Sequence, residues 1–509
     1  MNKKTNWSQF GTLITVFFFW GFVAASNDIL IPVFKKAFSL TQLQSQLVAM
    51  AFYVAYTVGS IIYIAISKAI GGDLLNKTGY RNGIAIGLII SAIGTLLFYP
   101  AANTASFTLM LTALFIVALG FSLQQIAANP LAIVIGDPQT GSQRLSMAGG
   151  VNNFGTTIGP LLVSFAIFGA VGAGNTEASI TDVKIPYLVL GVAFIAVAIF
   201  FKFSSIPDQI ASDPEPSQDI EESPTFKADS AVRNVPAKNG ALQYPQLILG
   251  MIGIFIYVGV EVATASNLPE YLHEHLEVLN GQYVAKSLHL PGAKEFTNDL
   301  IAPFISLYWA SLMMGRWSNS ADAFDISAGA KKVLSFIMPY LAFIVFLIVN
   351  TIAKHDVTPF YIYAFVILVM IAGNVMSKGN PATMLLIFSG FGIISLIIGM
   401  LTTGLVSVFA FVSVGLFCST LWPCVFTLGV AGLGRFTNQG SSYLIMMIMG
   451  GGFIAALQGY LASDKLLGIQ YSYIVGVVCF LYLAFFAVRA KTILRSQGID
   501  YDKPMAAGH

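Results

Sequence analysis

The sequence predicts an all-α membrane protein with about fourteen transmembrane helices, on three observations. Of 509 residues 56% are hydrophobic and only 10% charged, with a mean hydropathy of +0.76, where soluble domains carry roughly a quarter charged residues. Apolar runs of spanning length recur along the whole chain, bounded by charged or Gly/Pro/Asn-rich breaks. No Lys or Arg is expected deep within these runs.

The first run, near 10–34, follows Lys3 and Lys4 and has signal-like residues at Ala24, Ala25 and Ser26. It continues through Asp28 to Pro32, and further spans follow, so it reads as an uncleaved first helix. Spans near 46–70, 81–100, 107–134, 144–171 and 185–203 complete an N-terminal six-helix bundle over 1–203. Residues 204–243, with Pro207, Pro214, Pro216, Pro224 and Pro236 among acidic and Ser residues, read as a disordered linker. The C-terminal unit, 244–491, has eight spans, near 244–266, 300–318, 333–353, 358–376, 383–402, 404–433, 439–463 and 469–491. A tail, 492–509, ends the chain, and 269–299 is the longest loop after the linker. In this arrangement nineteen Lys and Arg fall on one side and seven on the other. Basic residues are retained inside, so both termini and the linker are placed in the cytoplasm.

A net charge of +2 without a basic tail gives no reason to expect a nucleic-acid partner. Cys418, Cys424 and Cys479 match neither a disulfide framework nor a zinc site, and His273, His275, His289, His355 and His509 all lie in polar segments. No enzyme activity, metal site or cofactor is expected.

Short matches recur in corresponding order in the two halves. Ala25-Ser26-Asn27 pairs with Ala265-Ser266-Asn267, and Gly141-Ser142 with Gly149-Gly150 pairs with Gly440-Ser441-Ser442 with Gly450-Gly451-Gly452. This order points to a duplicated six-helix unit, the architecture in which transporters place a site between repeats.

Two acids are expected inside spans, Asp28 in the first and Glu261 in the first span after the linker. A carboxylate in an apolar interior costs several kcal/mol unless it is protonated, ion-bound or wetted, so both are candidate cation-coupling residues. Amides and aromatics cluster along the spans: Asn27, Gln124, Gln125, Asn129, Asn152, Asn153 and Asn267, with Trp20, Tyr53, Tyr56, Tyr257, Tyr308, Trp309 and Trp422. Amides read hydroxyls as donor and acceptor, and aromatic faces cover the C–H side of a sugar ring, so this set suits a neutral polyhydroxylated ligand. Prolines at Asn129-Pro130 and Trp422-Pro423 are expected to free backbone carbonyls near such a site.

The residues resemble the fucose permease and glucose/galactose transporter group of the major facilitator superfamily. The resemblance rests on Asn27-Asp28-Ile29-Leu30-Ile31-Pro32 after Trp20-Gly21, on Gln125-Ile126-Ala127-Ala128-Asn129-Pro130, and on Arg144-Leu145 leading to Asn152 and Gly155. It continues in Tyr257-Val258-Gly259-Val260-Glu261-Val262, Tyr308-Trp309 with Gly315-Arg316, and the Gly440 and Gly450 runs. It implies the major facilitator fold, two six-helix bundles, here with an inserted helix pair in the C-terminal unit, in a bacterial cytoplasmic (inner) membrane. It also implies inward sugar transport driven by H+ or Na+, with Asp28 matching the first-helix acid, Glu261 an acid of the glucose/galactose branch, and Gln125 the glutamine of that branch.

Gly72-Asp73-Leu74-Leu75-Asn76-Lys77-Thr78-Gly79-Tyr80-Arg81 is similar to the superfamily's loop motif, with Asn76 where an acid is usual. The resemblance assigns gating to Gly72, Asn76, Lys77, Gly79 and Arg81, with Arg316. Gly149 and Gly150 depart from polar residues in relatives. The inserted pair is expected at 358–402, since Lys331-Lys332-Val333-Leu334 resembles the start of the family's ninth helix. A monomer in the lipid bilayer is expected, with a partner surface on the extra helices as the alternative. The competing reading is a proton-coupled exporter of drugs or amphipathic compounds, suggested by fourteen spans and by Gly155-x-x-x-Gly159-Pro160.

Overall fold

The computed structural model describes residues 4–37, 42–168, 184–208 and 240–502; the side chains of 25–37, 42–49, 160–161, 163–168 and 298–299 lie outside that description. The first half comprises α1 (Trp7–Ala37), α2 (Gln42–Ala69), a short α3 (Leu74–Thr78), α4 (Tyr80–Asn103), α5 (Phe107–Val134), α6 (Gly141–Phe168) and α7 (Lys184–Lys202). The second half begins with α8 (Pro245–His275), followed by strands β1 (Leu276–Leu279), β2 (Gln282–Ala285) and β3 (Lys294–Glu295). Then come α9 (Asn298–Ser320), α10 (Ala328–Ile352), α11 (Tyr363–Ser377), α12 (Pro381–Leu401), α13 (Gly404–Cys418) and α14 (Leu421–Val430). The chain continues through α15 (Thr437–Met446), α16 (Gly450–Leu461), α17 (Gly468–Ser472) and α18 (Ile474–Ser496).

Twelve helical stretches among the described residues are long and apolar enough to cross a membrane, counting α13–α14, α15–α16 and α17–α18 as one each. α6 and α9, 28 and 23 residues long, bring the passes to the fourteen expected. These two are less apolar because their described faces are almost wholly buried between the halves, so packing rather than lipid sets their composition. By contrast α4, α7, α10 and α11 leave rows of large apolar side chains exposed, among them Ile89 and Ile93, Val189 and Val192, Ile344 and Ile348, Phe365 and Val369. Rows of this extent fit a hydrocarbon surround rather than water.

The halves repeat one packing pattern. α1 lies on α6, α4 on both α5 and α7, and α2 on α5; correspondingly α8 lies on α16, α12 on both α13 and α18, and α9 on α13. α10 and α11 have no counterpart in this correspondence, so the extra pair occupies 328–377 rather than 358–402. The ninth-helix position belongs to α12, because α12 makes the contacts that α4 makes in the first half.

The loop expected at 269–299 is shorter than predicted. α8 runs on to His275, and the chain then forms an antiparallel sheet in the order β2-β1-β3, with Tyr283 packed edge-on against Phe296. Of the linker, residues 209–239 lie outside the described residues, while Ser205 and Asp208 are held against the first half. The face carrying α3, Asp208 and Gly240 is termed the linker face below.

Close crossings explain several glycines. A Cβ on Gly21 would lie 1.9 Å from the Asn152 carbonyl oxygen, and one on Gly155 would lie 2.5 Å from the Phe18 carbonyl oxygen. The Gly155-x-x-x-Gly159 spacing is thereby accounted for by the α1–α6 crossing.

Candidate functional site

Glu261 lies halfway along α8, which enters at Pro245 on the linker face and ends at His275. Its side chain is half-buried, and its carboxylate accepts a hydrogen bond from the Tyr257 hydroxyl one turn below. Its backbone carbonyl accepts from the Tyr308 hydroxyl of α9 at 2.7 Å. Tyr257 in turn accepts from Arg316 Nη2 at 3.2 Å.

Arg316 is itself buried, 7% exposed, and this overturns the expectation that no cation lies deep in the spans. Its Nε donates to the Ser419 carbonyl at 3.0 Å, and its Nη1 to Asn153 Oδ1 at 2.6 Å and the Gly149 carbonyl at 3.2 Å. The Ser419 carbonyl is available because Pro423, four residues on, has no N–H to claim it; α13 accordingly ends at Cys418 and α14 starts at Leu421. Gly149 and Gly150 are explained by the same contact, since their Cβ atoms would lie 3.1 Å from Arg316 Cδ and 2.4 Å from Trp317 Cδ1. Arg144 is fully buried as well, donating to the carbonyls of Ala132, Ile133 and Asp137 and to Thr140 Oγ1. In both cases carbonyl and hydroxyl oxygens rather than carboxylates accept from the guanidinium, which a charge count along the chain cannot register.

The first-half candidates divide. Trp20 Nε1 donates to Gln124 Oε1 at 2.8 Å, and Gln124 Nε2 to Ser91 Oγ at 3.0 Å, all three buried inside the first bundle. Gln125, one residue round α5, is half-buried and donates to the Tyr56 hydroxyl at 3.2 Å. Asn152 donates to the Phe17 carbonyl, tying α6 to α1, and its neighbour Asn153 meets Arg316. Asn129 is buried with its Nδ2 lacking an acceptor in the structure. In the second half, Trp422 lies 6.1 Å from the Tyr257 ring and Trp309 meets Tyr308 edge-on, whereas Asn267 turns back to the Ala263 carbonyl of its own helix. Asn27 and Asp28 belong to α1, but their side chains, like that of Pro160, lie outside the described residues.

The expected gating loop holds the halves together. Asp73 caps α3 through the Asn76 N–H and accepts from the Tyr63 hydroxyl at 2.8 Å. Asn438, at the start of α15, donates to Asp73 Oδ1 at 2.9 Å and Asn76 Oδ1 at 3.0 Å, and accepts from the Tyr80 hydroxyl. Lys77 closes the loop on the Ile70 carbonyl, a Cβ on Gly72 would lie 3.0 Å from Lys77 Cε, and Gly79 makes the bend into α4 at φ +86°. Arg81 pairs with Asp208 and donates to the Ser204 carbonyl, so the first residues of the linker seal the loop.

Deeper, Ser441 Oγ donates to the Ile126 carbonyl at 3.0 Å, an acceptor freed by Pro130 although α5 stays continuous. Ser442 donates to the Ser60 carbonyl, and Thr57 to that of Met446. These cross-half bonds all lie between mid-depth and the linker face, so the molecule is closed there. Asn438, two residues before the Gly440-Ser441-Ser442 run, is the partner of the loop and is a site residue that the motifs of the sequence do not single out. A polar residue heading a helix beside a duplicated motif was the signal available.

Two packed helical halves, closed against each other at one face with a half-buried carboxylate at mid-depth, define a polytopic membrane protein of the two-bundle kind. A sequence profile of the Major Facilitator Superfamily matches residues 10–456, and the chain belongs to that superfamily. It is 31% identical over 477 residues, covering 94% of this chain and 92% of the relative, to the glucose/galactose transporter of Brucella abortus. It is 25% identical to the L-fucose-proton symporter of Escherichia coli, over 94% of this chain and 92% of the relative. In fold it is similar to the superfamily transporter FucP in the outward conformation, with a TM-score of 0.65 at 24% identity over 94% of this chain and 98% of that one.

Proposed function

We propose that the chain is a secondary active transporter that imports a neutral hexose of the glucose or galactose type together with a cation, H+ or Na+. The relatives named for glucose/galactose and fucose–proton transport support sugar as the cargo. The observation that carries the coupling is Glu261, a half-buried carboxylate at mid-depth whose hydrogen-bond chain through Tyr257 and Arg316 ends on Gly149 and Asn153 of the other half.

A charge at that depth is costly unless neutralised or solvated, so cation binding at Glu261 changes what the carboxylate demands of Tyr257. Arg316 shares that tyrosine while bridging the halves, so the change reaches the closed face. Asp28, an acid in the matching helix of the first half, is proposed as the second coupling group. Half-buried Gln125, Trp309 and Trp422 are proposed to contact the sugar. With the linker face in the cytoplasm, as the distribution of Lys and Arg indicates, the closed face of the structure is the inner one. The exporter reading loses its glycine support, since the Gly155-x-x-x-Gly159 spacing is accounted for by the α1–α6 crossing, and the relatives are named for sugar transport.

The test is uptake by proteoliposomes of labelled glucose, galactose, fucose and mannose under an imposed Na+ or pH gradient. Concentrative uptake of glucose or galactose under one of the two gradients is expected. Fucose as the only sugar accumulated would reassign the cargo, and a dye expelled against a proton gradient without sugar uptake would establish export.

A further inference from the structure

The inserted pair α10–α11 has no counterpart in the first half. Two passes return the chain to the face it left, so both junctions of the pair lie on the linker face, and each touches the other half. At the entry, Phe324 lies flat on Trp7, which opens α1, with ring centroids 4.8 Å apart and planes inclined by 13°. At the exit, the Gly379 carbonyl accepts from Gln143 Nε2 of α6 at 2.8 Å. Lys378 and Gly379 take left-handed φ values of +51° and +72°, and a Cβ on Gly379 would lie 3.2 Å from Gln143 Nε2. The turn thus presents its carbonyl where a side chain would intrude.

Between the junctions the pair grips α9. Ser318 Oγ donates to the Ser335 carbonyl of α10 at 2.8 Å, an acceptor that Pro339 leaves free four residues later. Asn374 Nδ2 of α11 donates to the same Ser318 hydroxyl at 2.8 Å. Ser318 stands two residues after Arg316, and Asn319 beside it donates to Ser146 Oγ of α6 at 2.6 Å.

We infer that the inserted helix pair is a second inner latch, which fixes the gate end of α9 and adds two contacts between the halves at its own junctions. A single loop from α9 to α12 would offer one crossing point, whereas the insertion supplies one at each end and a polar clamp between them. The inference deepens the proposed transport cycle and rests on it only in that the linker face must open and close; the contacts themselves are independent of cargo and ion.

The test measures that opening without sugar or a driving gradient. Full-length protein carrying Lys68→Cys and Ser496→Cys, exposed in opposite halves near the linker face, is spin-labelled and reconstituted, the buried native cysteines staying unlabelled. Pulsed electron–electron distances then report the closed and open populations. Gln143→Ala and Phe324→Ala are each expected to raise the long-distance population roughly three- to tenfold, the weight of one neutral hydrogen bond or aromatic contact. Asn374→Ala is expected to act in the same direction, and Phe365→Ala, on the exposed face of α11, to leave the distribution unchanged. Populations equal to the parent's in Gln143→Ala and Phe324→Ala would overturn the latch, whether or not Asn374→Ala folds. A shifted population in protein that accumulates no sugar would leave the latch standing and reject the transport reading.

Discussion

Three prolines share one task in this molecule. Pro130, Pro339 and Pro423 each leave a carbonyl four residues back without its helical partner, and the donors that take these carbonyls are Ser441, Ser318 and Arg316. A buried carbonyl left unpaired costs about 1–3 kcal/mol, so each proline calls for a donor from another helix and ties two helices at one point. The sequence made Pro130 and Pro423 visible as carbonyl-freeing sites but not the donors, which are hundreds of residues away for Pro130 and over a hundred for Pro423. Glu261 was legible because a carboxylate stands out in an apolar run; Arg316 was marked by the resemblance, but its burial was not legible, because its cover comes from Ser419, Gly149 and Asn153 elsewhere in the chain. Arg316→Lys tests the geometry. One ammonium cannot reproduce a planar fork spread over four acceptors, so sugar uptake is expected to fall about tenfold with expression and folding retained, a loss of roughly 1.4 kcal/mol. Uptake equal to the parent's would show that charge alone suffices there.

At the scale of elements, the α2–α4 loop and the head of α15 form a latch whose chemistry is neutral on one side. Asn438 spans Asp73, Asn76 and Tyr80 with a single amide, donating to two oxygens and accepting from the tyrosine. Asn76, in the position where the resemblance leads one to expect an acid, leaves Asp73 as the sole carboxylate in that cluster of contacts. Asn438→Asp would place a second carboxylate within 3 Å of the first, whereas Asn438→Ala removes the bonds without adding repulsion. In the spin-label distance measurement, the aspartate variant is expected to open the linker face further than the alanine variant; the reverse order would contradict the assigned donor pattern.

Helix existence was well marked by hydropathy across these elements. The place of the insertion was not, because α10 and α12 are both long apolar runs and only their neighbours distinguish them. The sheet after α8 was read as loop, its strands of two to four residues being too short to show alternation.

Over the whole molecule, the duplicated order of short motifs foretold two halves, and packing places the glycine motifs at the surface where the halves meet: Gly149 and Gly150 under Arg316 and Trp317, Gly451 against Tyr53. The two-bundle design turns a local charge change into a global one only if the mid-depth carboxylate and the closed face are mechanically joined, and the hydrogen-bond chain from Glu261 through Tyr257 and Arg316 is the junction proposed for that role. The most direct measurement compares Glu261→Gln with the parent in two assays on the same vesicles, gradient-driven accumulation of labelled hexose and gradient-free counterflow. The amide keeps the size and the hydrogen bond to Tyr257 but cannot take up or release a charge. Counterflow is expected to persist in Glu261→Gln while accumulation is abolished; accumulation at the parent's level would overturn the coupling role of Glu261.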